Sequence, residues 1–584
     1  MKIKLNGSKI ILLSILILAA VVRFWGINFG LPHQLCRPDE EMIVSKSLYF
    51  LTGDLNPRWF VYPTFYMYIV SFFYFLYFLF SMLIGTSASL ADFLAKYFID
   101  PSAFYIIDRS VSAFLGTATV FIVYKSVREL FDKNTAIVAA FFLALAYLHV
   151  RDSHFGVTDV PMAFFITTGF LFIVKSYKDG SLRNYLLAGI FTGLAASTKY
   201  LGGLLIVPMF LAHCLNISNE SKKVRHMLFD SRIIAFALAS IAAFFIGTPF
   251  ALLNWLDFIA DIVNNGKFLS IKYSTVFHIR EVPNWKYQLS VSLFYGLGWP
   301  VLLSSVLGLA ILIKTDLKKA FLLLLFPAAY YVYMGGWYAA CVRYSIPVIP
   351  FLCIIAAFFV TKSSYFFLKN INPKIKITVL ALFSLIILYP SLFNLIKLDQ
   401  LLARKDTRLM ASEWVVKNIK RDSTIYQSGL NTGKLFFYPA LVSVGYKKWD
   451  YLESDKMIMA EVFKDNRNYF KDIDIQHYNE LLYDMREGVF ISGKEKAPPP
   501  DYIIIQQSPL RLFSCIPTKI VNIVTESYFL RQEFKAINFE NKKNIFDQED
   551  AFYLPFAGFE EVERPGPNIY IYEKIKKDDI IKGI

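Results

Sequence analysis

The sequence predicts a polytopic α-helical membrane protein that carries a C-terminal soluble domain of mixed α/β structure. Hydrophobic residues make up 55% of the 584 residues and aromatic residues 17%, which is far too apolar for a soluble chain. Uncharged runs of membrane-spanning length recur as far as about residue 397. We therefore expect a transmembrane domain over residues 1–397 and a separate soluble domain over residues 398–584.

The net charge of +15 indicates membrane topology rather than nucleic-acid binding. The cations lie in short clusters between apolar runs, as is typical of cytoplasmic loops. No basic stripe and no known nucleic-acid-binding motif accompanies the charge. The sequence therefore predicts membrane lipids, and no nucleic acid, among the partners of the chain.

Twelve apolar stretches can be counted, and they start near residues 10, 62, 104, 134, 159, 183, 201, 232, 289, 320, 344 and 376. If the tyrosine-rich stretch Tyr62–Gly85 does not cross, every cationic loop falls on the same side as the basic N-terminus. If it crosses, five cationic loops move outside, against the positive-inside rule. We therefore predict eleven spans and a juxtamembrane helix at Tyr62–Gly85; an ordinary spanning helix remains the alternative.

The N-terminus has the basic start and apolar run of a signal peptide. It lacks a small-residue cleavage site and Arg23 interrupts the run, so we predict an uncleaved first span. This orientation predicts a multi-pass protein of the cell (inner) membrane, with a cytoplasmic N-terminus and an extracytoplasmic C-terminal domain. The five cysteines have no metal-ligand spacing, and free buried thiols are favoured over a Cys36–Cys341 pair.

The C-terminal domain contains both helix and strand patterns. A helical pattern follows Asp406 and runs over Leu409–Ile419. Strand-like runs occur at Tyr502–Ile505 and Asn568–Tyr572, with alternating or continuous β-branched and aromatic residues. Mixed α/β structure is the natural prediction.

Carboxylates follow the first span almost at once, at Asp39, Glu40 and Glu41. Ionised carboxylates are costly near hydrocarbon and are rarely kept there without a role. A carboxylate held at the membrane surface can take a proton from a hydroxyl group while a second substrate stays dissolved in lipid. We select Asp39 and Glu40 as candidate catalytic residues and expect Glu41 to be solvated.

Cations inside or at the ends of apolar runs are the second candidate group. Arg23, Arg109 and Lys199 stand there, where an unpaired cation costs a few kcal/mol, so each needs a partner. The partner could be a carboxylate in a purely structural network, or the phosphate of a lipid, whose oxygens suit arginine and lysine donors. The residue types leave both possibilities open. Phosphate-binding glycine motifs and HExxH are absent from the sequence, which argues against NTP use and a hydrolytic metal site.

Seven short stretches in this order resemble those of polyprenyl-phosphate-dependent glycosyltransferases of the GT-C class (glycosyltransferase family 39-like). The similarity is to bacterial and archaeal relatives of protein O-mannosyltransferases and lipid A aminoarabinose transferases, over residues 10–400. The stretches are Val22–Phe24, Arg37–Glu40, Asp108–Ala113 with Gly116, Ser153–Pro161, Gly193–Tyr200, Pro249–Leu253 and Arg343–Pro350. The resemblance implies a GT-C fold and a transmembrane catalytic domain.

The resemblance also implies roles for single residues. It makes Asp39 the general base for the acceptor, Glu40 the second of the paired acids, and Asp159 the acid of the second outer loop. It matches Arg23 and Arg109 to arginines that the mannosyltransferases need, and it places Lys199 and Arg343 near the carrier phosphate. These four cations, together with Arg280 of another outer loop, would bind the phosphate of the donor. The resemblance implies an inverting single displacement.

The implied donor is a polyprenyl-phosphate sugar, and the implied acceptor is a hydroxyl group of a protein, lipid or glycan. Tyr62-Pro63-Thr64 departs from the family's frequent His-Pro-Pro run, which leaves the acceptor open. No cofactor is firmly implied, although Asp39, Asp159 and His154 could hold a divalent cation. A transporter or flippase of lipid-linked sugars is the alternative function, but inverted repeats typical of transporters are not evident. A membrane scaffold or receptor acting through its soluble domain is a third, and it would leave the intramembrane arginines unexplained.

Overall fold

The computed structural model describes residues 7–219, 229–271, 283–367, 372–436, 453–465, 478–510, 513–514, 516–541, 543–550 and 552–575. The chain divides into two compact units. The first unit comprises Met1–Ile27, Gly53–Phe73 and Ile107–Leu398, and the second comprises Asn28–Thr52, Tyr74–Ile106 and Asp399–Ile584.

Ten helices in the first part of the chain are labelled in order. They are α1 Gly7–Phe24, α2 Glu40–Tyr49, α3 Phe65–Leu83, α4 Leu90–Ile99, α5 Ser102–Leu130, α6 Lys133–Ala144, α7 Tyr147–Ser153, α8 Asp159–Asp179, α9 Leu182–Thr198 and α10 Ile206–Asn219. Later helices of the first unit are Ser231–Gly247, Phe250–Leu253, Trp255–Ser270, Trp285–Tyr287, Phe294–Leu297, Trp299–Thr315, Leu317–Gly335, Ile349–Phe367 and Pro373–Leu402, the last extending slightly beyond it. Short 3₁₀ segments lie at Tyr200–Leu205 and Val342–Val348, and a π-helical turn lies at Gln288–Leu293.

Eight helical segments among the described residues are long and apolar enough to cross a membrane, and the number rises to ten if two bent pairs each count as one span. The juxtamembrane candidate corresponds to α3, whose 19 residues also have spanning length. Length and composition do not separate an interfacial helix from a spanning one. The count of eleven spans and the position of α3 therefore stay predictions.

Local sequence explains where several of these helices begin and end. The Asp132 carboxylate accepts hydrogen bonds from the backbone N–H groups of Asn134 and Thr135 and so caps the start of α6. Gly298, with φ of 86°, lies where the segment Trp285–Leu297 meets Trp299–Thr315 at a bend of 108°. Only glycine adopts that backbone conformation without strain, so the bend has a local cause.

A reporter fused after residue 130, at the end of α5, tests the predicted topology. We expect a cytoplasmic signal, because α5 then ends on the side of the basic N-terminus. A fusion near residue 404 serves as the control and should report the opposite side. An external signal at residue 130 would contradict the eleven-span topology and favour a spanning α3.

The second unit contains α2, α4 and the C-terminal helices and strands. Its further helices are Thr407–Asn418, Glu453–Asp465 and Thr518–Ser527. Its strands are β1 Thr424–Gln427, β2 Asn479–Glu480, β3 Leu482–Asp484, β4 Val489–Ser492, β5 Glu495–Ala497, β6 Tyr502–Gln507, β7 Tyr528–Phe534 and β8 Asn568–Lys574. The helix Glu453–Asp465 packs against both α2 and α4.

Two sheets form in this unit. The larger has the order β2-β1-β6-β8-β7, in which β1 pairs in parallel with β2 and β6, while β8 pairs antiparallel with β6 and β7. The smaller is an antiparallel β3-β4-β5 sheet. The helix and both strands predicted from the sequence are present, which confirms the mixed α/β prediction for this region.

Strand β6 lies in the middle of the larger sheet and is covered on both faces. Ile503 and Ile505 pack with Phe490 and Ile520 in one apolar cluster. Ile504, between them in sequence, points to a second cluster that contains Val415 of helix Thr407–Asn418. Burial of both faces explains why the strand is a continuous apolar run rather than an alternating one.

Candidate functional site

Asp39 immediately precedes α2, and its backbone is in the left-handed conformation, with φ of 73° and ψ of −17°. Non-glycine residues seldom adopt this conformation, although aspartate and asparagine tolerate it better than most. Its side chain does not cap the helix. The half-buried carboxylate is thus held in an unusual backbone position and is not used for helix capping, which is compatible with a functional role.

The two glutamates that follow Asp39 differ in exposure. Glu40, the first residue of α2, is fully buried, whereas Glu41 is half-buried. Burial and the neighbouring Asp39 charge raise the pKa of Glu41 to about 8, from an ordinary value of 4.5. The expectation that Glu41 is merely solvated is therefore wrong. The sequence did not reveal this, because burial depends on chain segments distant from the motif.

Glu41→Gln should make the protein more stable above pH 7 than the wild type, with a smaller difference near pH 5. A raised carboxyl pKa means that folding favours the protonated form, so the wild type loses stability as pH rises from about 4.5 towards 8. Glutamine imitates the protonated side chain and removes this loss. Thermal unfolding of both proteins across this pH range measures the difference, and equal pH dependence would contradict the assignment.

In the first unit, Asp159 and Lys199 form a buried ion pair. Lys199 Nζ lies 2.6 Å from Asp159 Oδ1, and the side chains are 12% and 1% exposed. Asp159 is the first residue of α8 and Lys199 directly follows α9, so each charge has the sign that the adjoining helix end favours. The sequence indicated both residues as candidates but not that they pair with each other.

Two tyrosine rings flank the Lys199 ammonium group. Its Nζ lies 5.7 Å from the ring centroid of Tyr62 and 5.4 Å from that of Tyr344. Cation–π attraction of this kind adds to the electrostatic stabilisation of the lysine. Arg343, beside Tyr344 in the segment Val342–Val348, is 6% exposed. The sequence motif contained Tyr344, but only the structure assigns its ring to Lys199.

Arg23 is fully buried where helices α6 and α7 meet at an angle of 56°. Its guanidinium donates to the carbonyl oxygens of Leu143 and Ala144, at 3.2 and 3.1 Å, and contacts His149 Nδ1 at 3.1 Å. A helix break leaves carbonyl groups unpaired, which is costly within a membrane. Arg23 satisfies them, so these contacts favour the structural alternative over phosphate binding.

Arg109 is also fully buried, and its Nη1 donates to the carbonyl oxygen of Ile27 at 2.9 Å. The preceding Asp108 accepts a 2.7 Å hydrogen bond from the Tyr66 hydroxyl group. A Cβ on Gly156 would collide with the Asp108 carboxylate. Tyr66, Asp108 and Gly156, from three separate parts of the sequence, therefore lie together. Glycine is required at position 156 because the Asp108 carboxylate approaches its Cα so closely.

Metal ligation finds no geometric support in the described part of the chain, where no group of three or more His, Cys, Asp or Glu side chains could hold an ion. His154 has both ring nitrogens 3.0 Å from backbone carbonyl oxygens, those of Val150 and Trp25. The suggested divalent-cation site therefore finds no support at His154, whose two ring nitrogens are both used in backbone contacts. Arg280, a predicted phosphate ligand, lies outside the described residues.

The model of the dolichyl-phosphate-mannose-protein mannosyltransferase family matches residues 106–246. This segment is similar to that family. It contains Asp108, Arg109, Asp159 and Lys199, so the resemblance predicted from the motifs is confirmed. The apolar helices confirm the prediction of a polytopic helical membrane protein, and the family match over residues 106–246 agrees with the GT-C part of the predicted fold class.

Individual curated proteins are similar to parts of this chain at low sequence identity. Dolichyl-phosphate-mannose–protein mannosyltransferase 1 of Saccharomyces cerevisiae is 29% identical over 161 residues, which is 25% of this chain and 18% of that protein. The Bacillus subtilis (strain 168) protein YkcB is 25% identical over 130 residues, which is 22% of this chain and 18% of that protein. The chain therefore spans less than a fifth of the length of these curated relatives.

Solved structures align along most of the chain. The apo oligosaccharyltransferase of Archaeoglobus fulgidus aligns with a TM-score of 0.49 and 12% identity, covering 98% of this chain and 89% of that one. ArnT from Cupriavidus metallidurans bound to undecaprenyl phosphate aligns with a TM-score of 0.48 and 12% identity, covering 96% and 97%.

Proposed function

We propose that this protein is an integral-membrane glycosyltransferase that moves a sugar from a polyprenyl-phosphate donor to an acceptor hydroxyl group. The observation that carries the proposal is the buried Asp159–Lys199 pair, because both residues lie in the segment that matches a mannosyltransferase family. A lysine next to aromatic rings at a helix end is a suitable ligand for a lipid-linked phosphate. We infer that the reaction occurs on the extracytoplasmic face of the cell membrane.

In the proposed reaction, the acceptor oxygen attacks the anomeric carbon of the sugar from the face opposite the phosphate. The new C–O bond forms as the bond to the phosphate oxygen breaks, and the electron pair leaves with the polyprenyl phosphate. Asp39 takes the acceptor proton, so that a neutral hydroxyl group becomes an adequate nucleophile. The sugar is transferred with inversion.

The phosphate that leaves gains negative charge, and cations placed beforehand stabilise it. Lys199 and Arg343 are our candidates for this role, with Arg109 and Arg280 as further ligands. Arg109 would have to rearrange its present contact with Ile27, and Arg23 is better explained by its carbonyl contacts. Glu40 and Asp159 would support the site, Asp159 through its bond to Lys199.

Turnover of a panel of radiolabelled polyprenyl-phosphate sugars in proteoliposomes tests the function. We expect release of labelled sugar from one donor in the presence of a protein, lipid or glycan acceptor. Passage of an intact donor across the bilayer without sugar release would contradict the proposal and favour a flippase. The donor that turns over identifies the sugar, and the acceptor that gains label identifies the acceptor class.

A further inference from the structure

The loop that carries Asp39 is held by residues from the C-terminal part of the same unit. Arg37, two residues before Asp39, is fully buried and forms an ion pair with Asp550, with Nη1 and Oδ1 separated by 2.9 Å. The same Nη1 also donates to the carbonyl oxygen of Pro38 at 2.9 Å. Asp550 is therefore connected to the peptide unit that immediately precedes Asp39.

A second set of contacts holds the turn before Arg37. Arg408 Nη2 donates to Cys36 Sγ at 3.1 Å, and Arg408 is itself held by Asp406 through two hydrogen bonds of 2.7 and 2.9 Å. All three side chains are almost completely buried. Burial alone would raise the pKa of Asp406, but the Arg408 guanidinium outweighs it and holds the pKa of this carboxyl below its ordinary value. Both charges are thus retained inside the unit.

His33 provides a third connection. Its Nε2 lies 2.8 Å from the carbonyl oxygen of Lys434, and its Nδ1 accepts from the backbone N–H of Leu35 at 3.2 Å. Burial and the charge of Arg408 lower the pKa of His33 to about 3. The ring is therefore neutral at physiological pH, and the two contacts fix its tautomer with the proton on Nε2.

We propose that Asp550 is a positioning residue for the reaction, and that it fixes the Asp39 loop through Arg37. The proposal rests on the proposed function, because it takes Asp39 as the base. It gives the C-terminal region a direct role in setting the geometry of catalysis. A buried ion pair suits this role because its planar guanidinium and carboxylate permit few relative orientations.

Asp550→Asn should lower kcat roughly 10- to 100-fold, the effect of displacing a catalytic group by about 1 Å, with little change in KM for the donor. Asp550→Glu restores the charge and should recover part of kcat. Asp501→Asn is the control, because the contacts of Asp501 in the described part of the chain are with Thr424 and Lys574, away from the Asp39 loop in sequence. It should leave kcat per folded molecule unchanged.

A purely structural role gives a different pattern. Asp550→Asn would then reduce the yield of folded protein while kcat per folded molecule stays at the wild-type value, and this result would overturn the proposal. If Asp550→Asn does not fold, Arg37→Gln breaks the same ion pair from its other side, and unchanged kcat per folded molecule in that variant overturns the proposal equally. Asp39→Asn, measured in the same assay, tests separately whether Asp39 is the base. Undiminished turnover in that variant would refute the role of Asp39, whereas the Asp550 variants test the positioning role.

Discussion

Asp39→Asn is expected to reduce sugar transfer by roughly two to four orders of magnitude, while binding of the polyprenyl-phosphate donor persists. Asparagine cannot take the proton of the acceptor hydroxyl group, but it tolerates the left-handed backbone that Asp39 adopts. The substitution therefore removes the base and leaves the backbone of the loop in place. Transfer of labelled sugar in proteoliposomes and binding of labelled donor give the two quantities.

Asp54→Asn is a suitable control for this variant. Asp54 belongs to the same predicted outer loop, but its side chain is 34% exposed and pairs with Arg58 at 2.8 Å. An exposed pair contributes about 1 kcal/mol or less, so turnover and stability should stay close to wild type. Substantial residual transfer by Asp39→Asn would refute the assignment of Asp39 as the base.

Lys199→Met is expected to have two effects, loss of stability and loss of donor binding. Removal of the lysine leaves Asp159 as a buried charge without its ion-pair partner, which costs about 3–5 kcal/mol. It also removes a cation that we propose binds the donor phosphate. Thermal unfolding in detergent and binding of labelled donor measure the two effects separately.

The double variant Lys199→Met/Asp159→Asn distinguishes the effects. It removes both charges, so it should regain much of the stability but not the binding of the donor. Lys178→Met is the control, since Lys178 forms a 2.7 Å pair with Glu129 in which the side chains are 49% and 33% exposed. Its stability should fall by about 1 kcal/mol at most. Recovery of donor binding in the double variant would remove Lys199 from the phosphate site.

Helices and strands were predicted correctly from the sequence where the whole pattern lies within one short segment. The helix after Asp406 and strands β6 and β8 are cases in point, because apolar periodicity and β-branched runs are local properties. The break between α6 and α7 was not predicted. The stretch from residue 134 reads as one apolar run, and the partners that make the break tolerable come from α1 and from Ser391.

Candidate site residues were recognised singly, but their partners were not. The sequence identified Asp159 and Lys199 as separate charges near the membrane surface, whereas their contact depends on how α8 and α9 pack. No pattern in the sequence near Arg37 or near Asp550 indicates that they pair, since the two residues are far apart in the chain and meet only after folding. Glu41 was misjudged because burial, the largest cause of its raised pKa, is not visible in the local sequence.

The order in which a ribosome makes this chain has a consequence for when the protein can become active. Strand β8 lies between β6 and β7, so the larger sheet lacks an inner strand until residues 568–574 have emerged. Asp550, the partner of Arg37, is also made late, whereas the loop with Asp39 is translated near the beginning. The membrane helices can thus insert during synthesis while the candidate catalytic loop still lacks its support. If Asp39 is the base, as we propose, a nascent or prematurely terminated chain would therefore have its membrane helices in place before it could transfer sugar.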